Sequence, residues 1–261
     1  MWRNGVPVET DGAADLAFAG FAHFTAMQVR DGAVRGLDLH LTRLHDASRE
    51  LFGRDLDGGV VRDRMRQALA AAPSAVTMRV IVHPPEGEST VPDPARGLEV
   101  TVRTGAASDG PSGPLALDVV EHERFFPQVK QVGEGAKTYH LWKAQAAGFD
   151  DAAFVDRSGR FSEATIWNLA FHDGDTVVWP RAAMLVGTTM AILQRQLRSA
   201  GIPQREQVVT ADDVGWLSAV VMNSWTPAVP ISRIGAHRPP RDPRFEEILR
   251  QAFLAEVPTA L

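Results

Sequence analysis

The chain has 261 residues, a formal net charge of −5, 44% hydrophobic residues and no cysteine. That acidic balance gives no basic footprint for nucleic acid or an anionic membrane, and disulfide and thiolate chemistry are excluded. No apolar run approaches the roughly 18 residues of a membrane span, and the start MWRNGVPVETDG has no apolar leader region, so a cytoplasmic location is expected.

Taken in chain order, FAHFTAMQV at 21–29 reads as an extended segment followed by the turn signal Asp31-Gly32. Leu37, Leu41, Leu44, Ala47 and Leu51 recur at three- and four-residue steps and predict a helix. A second helix is expected over 60–72, ended by Pro73, then strands over 78–84 and 97–104. Residues 105–114, GAASDGPSGP, read as a flexible loop. Beyond it the pattern predicts a helix at 142–148 stopping at Gly148 and a strand at 152–156. A hairpin about Asp173-Gly174-Asp175 follows, then a helix at 187–201, a buried strand at 217–224 and a closing amphipathic helix at 244–257. Helices and strands mix in both halves, which points to an α/β (α+β) protein of two domains: 1–120, a linker at 121–127, and 128–261.

All three lysines, Lys130, Lys137 and Lys143, fall within VKQVGEGAKTYHLWK, while every other basic residue among the 27 is arginine. Arginine can replace lysine as a surface charge, but it cannot lose its proton and attack a carbonyl. Lys137 and Lys143 lie near a helical stretch with Leu141 and Trp142, where solvated charge is the ordinary fate. Lys130 lies in the apolar, extended FFPQVKQVG, where its amine is either partly desolvated and reactive or carried out to water at a strand edge.

Other candidates stand apart from the lysines. LVGTTMAILQRQL opens a helix with Gly187, Thr188 and Thr189, either an ordinary cap or a cradle for phosphate. FSEATIWN places Glu163 and Asn168 after a turn; the carboxylate is either a solvated edge residue or buried against a cation. The histidines are scattered, His40 and His45 do not share a helical face, and no metal is expected.

Together these segments resemble the class IV aminotransferases, the fold-type IV enzymes that use pyridoxal 5′-phosphate, over residues 20–231. The resemblance is concentrated in GFDDAAFVDRSGRFSEATIWNLAF, with the family's spacing of Gly148, Asp156, Gly159, Glu163 and Asn168. It implies a smaller N-terminal and a larger C-terminal domain with the cofactor between them. It further implies that Glu163 pairs with the pyridine nitrogen and that Asn168 belongs to the cofactor-binding set. Gly187, Thr188 and Thr189 would bind phosphate, aided by Arg43 of the HLTRL motif and by Ser224, with Thr226 as the alternative to Ser224. The family's arginine after the GTT step is here Met190. The Schiff-base lysine of the family precedes the GFDD element by eighteen or nineteen residues; Lys130 lies eighteen before Gly148 and Lys137 only eleven, so Lys130 is assigned.

The implied activity is transfer of an amino group from an amino acid or amine to a 2-oxo acid, in a homodimer. The nearest alternative is a 4-amino-4-deoxychorismate lyase, which would release pyruvate and 4-aminobenzoate. A third is a non-catalytic binding module on the same fold. Tyr139 is the only tyrosine, so the tyrosine-lined pocket of branched-chain enzymes is not expected. His23, Thr25, Arg79 and Trp225 are the candidates for the substrate pocket, with Arg79 as a carboxylate anchor.

Overall fold

The computed structural model describes residues 2–7, 20–85, 93 and 96–261. The chain divides into a first unit of Met1–Ser108, Val129–Glu134 and Val257–Leu261, and a second of Asp109–Gln128 and Gly135–Glu256.

In the first unit, β1 (Trp2–Arg3), β2 (Val6–Pro7), β3 (His23–Arg30) and β4 (Ala33–Val34) are followed by α1 (Leu37–Phe52) and α2 (Gly58–Leu69), then β5 (Ala75–His83) and β6 (Glu99–Ala106). The strand HFTAMQVR alternates buried and half-buried positions along its whole length, as the two-residue side-chain period of a strand demands. Its inward residues, with Val76, Met78, Val80 and Val82 of β5 and Val100 and Val102 of β6, pack against Leu37, Leu44, Val61 and Met65 of the two helices. α2 starts at Asp57, whose carboxylate accepts from Gly59 N at 2.7 Å and satisfies one of the open first-turn amides.

The second unit contains β7 (Leu115–Glu121), α3 (Gly135–Ala146), β8 (Asp151–Val155), β9 (Phe161–Ala164), β10 (Asn168–His172) and β11 (Val177–Pro180). α4 (Thr188–Ser199), β12 (Gln204–Gln207), β13 (Ser218–Met222), β14 (Val229–Ile234) and α5 (Pro243–Ala255) complete it. β15 (Thr259–Ala260) returns to pair with β4 in the first unit. The sheet runs β12-β11-β10-β13-β14-β7-β8-β9, and β9 pairs again with β10, which closes six strands on themselves and removes their open edges. Along β10 and β13 successive residues face opposite ways. Leu169, Phe171, Ala219 and Val221 fill one core, while Ala170, Val220 and Met222 pack with Met190, Leu193, Phe245 and Leu249 of α4 and α5. Among the described residues no helix is long and apolar enough to cross a membrane.

Several boundaries differ from those expected. The division falls at Ser108, before the expected 120, because β7 pairs in parallel with both β14 and β8 and so belongs to the second sheet. The segment around Lys130, expected in the C-terminal domain, belongs to the first unit. Phe24 N donates to Lys130 O (2.9 Å), Val132 N to Ala22 O (2.8 Å) and Gly133 N to Gly20 O (3.1 Å), so the segment extends β3's pairing. α3 starts at Gly135, seven residues before the expected helix, and places Lys137 and Lys143 on one helix.

Candidate active site

The second unit gathers most of the expected binding residues about the β9–β10 hairpin. Glu163 and Asn168 are register partners across it, and the turn joining them closes through Ala164 N donating to Trp167 O at 2.8 Å. Asp151 fixes that turn from beneath. Its carboxylate accepts from Thr165 Oγ1 (2.6 Å), from Thr165 N (3.3 Å) and from Trp167 Nε1 (3.0 Å). Burial pushes the Asp151 carboxyl up despite these donors, which act in the opposite sense.

Glu163 is 4% exposed. Its Oε1 accepts from Arg124 Nη1 and from Leu185 N, each at 3.4 Å, and Lys137 Nζ stands 3.9 Å from Oε2. Arg124 Nη1 also donates to Pro127 O at 3.0 Å, which fixes the guanidinium from its own loop. A carboxylate this buried is tolerable only when cations and hydrogen bonds replace its lost water. Of the two sequence alternatives for Glu163, the buried one therefore holds. Lys137, expected to be solvated, has a side chain only 12% exposed and faces Glu163, whereas Lys143 is exposed as expected.

Asn168 links this carboxylate to the start of α4. Its Nδ2 donates to Leu185 O at 2.6 Å and its Oδ1 accepts from Gly187 N at 2.9 Å. A Cβ at residue 187 would come within 2.1 Å of that Oδ1, so glycine is required by close approach. Gly187 caps α4 with no side-chain hydrogen bond, at the positive end of the helix. Thr188 and Thr189 are buried there, and Thr189 Oγ1 donates to Asn223 O at 2.8 Å. Met190 lies in the α4–α5 core. Trp225 N donates to Asn223 Oδ1 at 2.8 Å, and the Trp225 ring meets Trp167 edge-on with centroids 5.9 Å apart. Ser224 is half-buried in the same turn.

The first unit holds the remaining candidates on separate elements. Lys130 Nζ lies over the Phe24 ring, 4.9 Å from its centroid. Arg43 is half-buried on α1. His23 and Thr25 do not present a pocket-lining face. Both are fully buried toward α1, where His23 Nε2 meets Ser48 Oγ at 2.9 Å and Thr25 Oγ1 meets His40 Nδ1 at 2.6 Å. Burial lowers both histidines to about 3, so they pack as neutral rings. Arg79 is exposed on the opposite face of the sheet.

Sequence reasoning missed Arg124 and Asp151. Arg124 carried one signal, a lone cation beside the apolar run FFP. Asp151 carried less, since one of two adjacent aspartates in GFDD gives no sign of which turns inward.

The same fold is found in solved structures of low sequence identity. A branched-chain aminotransferase from Thermoproteus uzoniensis with norvaline superposes with a TM-score of 0.82 at 18% identity, covering 96% of this chain and 92% of that one. A putative 4-amino-4-deoxychorismate lyase from Legionella pneumophila gives 0.78 at 18% identity, covering 94% and 95%. An aminotransferase from Brucella abortus, bound to the co-factor PLP, gives 0.79 at 21% identity, covering 95% and 93%. No curated protein matches the sequence. The fold is thus that of the fold-type IV aminotransferases. Residues 22–234 match the model of amino-transferase class IV, and the chain belongs to that family.

Proposed function

We infer that the protein is a pyridoxal-phosphate-dependent aminotransferase that moves an amino group from an amino acid or amine to a 2-oxo acid, with Lys130 as the lysine that anchors the cofactor. The observation that carries this reading is the coupling, through Asn168 and Leu185, of a buried carboxylate to a helix start with no side-chain cap.

The residues present fit that cofactor. The amides of Thr188 and Thr189 at the start of α4, with Ser224, would hold its phosphate, and Arg43 would add a charge. Asn168 serves by shaping the loop, since both its polar atoms are committed to Leu185 and Gly187. Glu163 would hold the pyridine nitrogen in its protonated form. When bound, the cofactor supplies an electron sink for charge developing at the substrate's Cα. Arg124 keeps Glu163 aimed during that work. The amine of Lys130 takes the proton from Cα and returns it, as a general base and acid.

The position of Lys137 supports Lys130 for the anchoring role. In pyridoxal phosphate the ring nitrogen and the aldehyde stand across the ring from one another. A lysine already facing the carboxylate that takes the nitrogen is therefore at the wrong end to join the aldehyde. Borohydride reduction of the loaded protein, followed by peptide mapping, is expected to label Lys130. Label on Lys137 overturns that assignment, and a protein that stays colourless with the cofactor overturns the function.

One observation favours a second reading, the 4-amino-4-deoxychorismate lyase. Tyr139, the sole tyrosine, is 58% exposed on α3, so no tyrosine wall for a branched side chain is available. Amine transfer to a 2-oxo acid supports the transaminase; 4-aminobenzoate formed without an acceptor supports the lyase. A homodimer and a cytoplasmic location belong to either reading, and light scattering checks the first.

A further inference from the structure

The two oxygens of Glu163 are engaged unequally. Oε1 accepts from Arg124 Nη1 and from Leu185 N, each at 3.4 Å. Among the described residues Oε2 accepts no hydrogen bond, and the Lys137 amine stands 3.9 Å from it. At that distance the contact is an ion pair without a hydrogen bond. A carboxylate oxygen buried in this way has given up water and keeps acceptor capacity for a further donor.

The two cations about this carboxylate are held to different degrees. The Arg124 side chain is 2% exposed, and its Nη1 also donates to Pro127 O at 3.0 Å. The Lys137 side chain is 12% exposed and starts from the first turn of α3, where Gly135, Ala136 and Thr138 are exposed. The whole helix buries Ala144 alone, so Lys137 can turn aside without opening a packed core. The residue type points the same way. Arginine supplies every basic residue of this chain but three. An arginine here would clamp the carboxylate with a two-pronged fork, whereas lysine brings one movable point charge.

We propose that Lys137 contends with the cofactor's ring nitrogen for Glu163 Oε2 and so sets how tightly the cofactor is held. The proposal rests on the reading of Glu163 as the partner of that nitrogen. A protonated ring nitrogen beside Oε2 puts three positive groups about one carboxylate. Like charges so close repel one another, and a buried site screens them poorly. Arg124 is pinned, so the adjustment falls on Lys137. The lysine thereby lowers the affinity of the site for the cofactor.

The test is calorimetric binding of pyridoxine 5′-phosphate to the full chain. This probe carries the ring nitrogen and the phosphate but no aldehyde, so its binding does not depend on which lysine anchors the cofactor. Inorganic phosphate is the control without a ring. K137M is expected to bind the probe about tenfold more tightly than wild type, the scale of one charged interaction. K137R, which keeps the charge and adds a fork, should bind it more weakly than wild type. Inorganic phosphate should bind K137M no more tightly than wild type, since removing a cation does not by itself favour an anion. In a Glu163→Gln background the gain from K137M should vanish. The proposal is overturned by a probe that K137M binds no more tightly, by a gain that persists with Glu163→Gln, or by K137R binding no more weakly than wild type. In each of those cases the probe still binds, and the amino-transfer reading stands. A probe that binds every protein no better than inorganic phosphate leaves the ring nitrogen without a partner, and the proposal and that reading fall together.

Discussion

In the first unit the buried polar side chains under α1 are neutral partners: His23 with Ser48, and Thr25 with His40. In the second unit, burial is applied to charge, with Glu163 against Arg124 and Lys137. Neutral pairs hold one strand to one helix and need no counter-charge, although His23 Nδ1 is left buried without a hydrogen-bond partner. A buried ion group costs desolvation on every member, and replacement by apolar residues is often neutral or stabilising. Its presence beside the α4 start therefore points to a task other than stability. The difference separates a packing solution from a site.

The charged side of the comparison gives the largest expected effect. Glu163→Leu leaves Arg124 buried without its carboxylate, and breaking a buried pair in this way costs about 3–5 kcal/mol. Urea denaturation should show that loss, together with failure to take up the cofactor. Glu163→Gln keeps an acceptor for Arg124 and Leu185 N, so its stability loss should be smaller. A Leu variant as stable as wild type would break the distinction drawn here.

The neutral side responds to acid instead. The unfolded chain protonates His40 near 6.5, while the folded state resists until about 3. The folded state thus binds fewer protons over that window, and stability must fall as pH drops through it. Burial is the main cause, with Arg43 adding to it and Asp38 opposing. His23 behaves in the same direction. Replacing one of the two, as in His40→Asn, should remove about half of their acid-dependent loss. Thermal melts taken from pH 7 downward measure this, and an unchanged slope would show that the ring charges freely in place.

How far the sequence foretold this contrast depends on the range of the interaction. Helix and strand periodicity located α1, α4, α5 and the hairpin at Asp173-Gly174-Asp175, because each is decided by residues a few positions apart. The motif FSEATIWN placed Glu163 and Asn168 after a turn, without showing that they are register partners, and GTT marked a helix start. What stayed hidden was non-local. Arg124 reaches Glu163 across thirty-nine residues, and Asp151 reaches Trp167 through a turn that no period encodes. His23 and Thr25 illustrate the converse. Both stood as candidates for the substrate pocket, but strict alternation along β3 turns both toward α1. The unit boundary was missed for the same reason, since parallel pairing of β7 is fixed by strands over a hundred residues away in β14.

The smallest expected effect sharpens the comparison at a single helix. Lys137 and Lys143 both sit on α3, yet one faces a buried carboxylate and the other faces water. Lys143 is the basic residue of the last turn, where any cation interacts favourably with the helix end. Lys143→Arg keeps that charge and changes no packing, so stability should stay within about 0.5 kcal/mol of wild type. Cofactor uptake should be unchanged as well. A clear loss in either measurement would mean that this lysine has a role beyond surface charge. An unchanged variant would instead show that what separates the lysines of this chain is what each one faces, since Lys137 differs from Lys143 in its carboxylate partner and not in its helix.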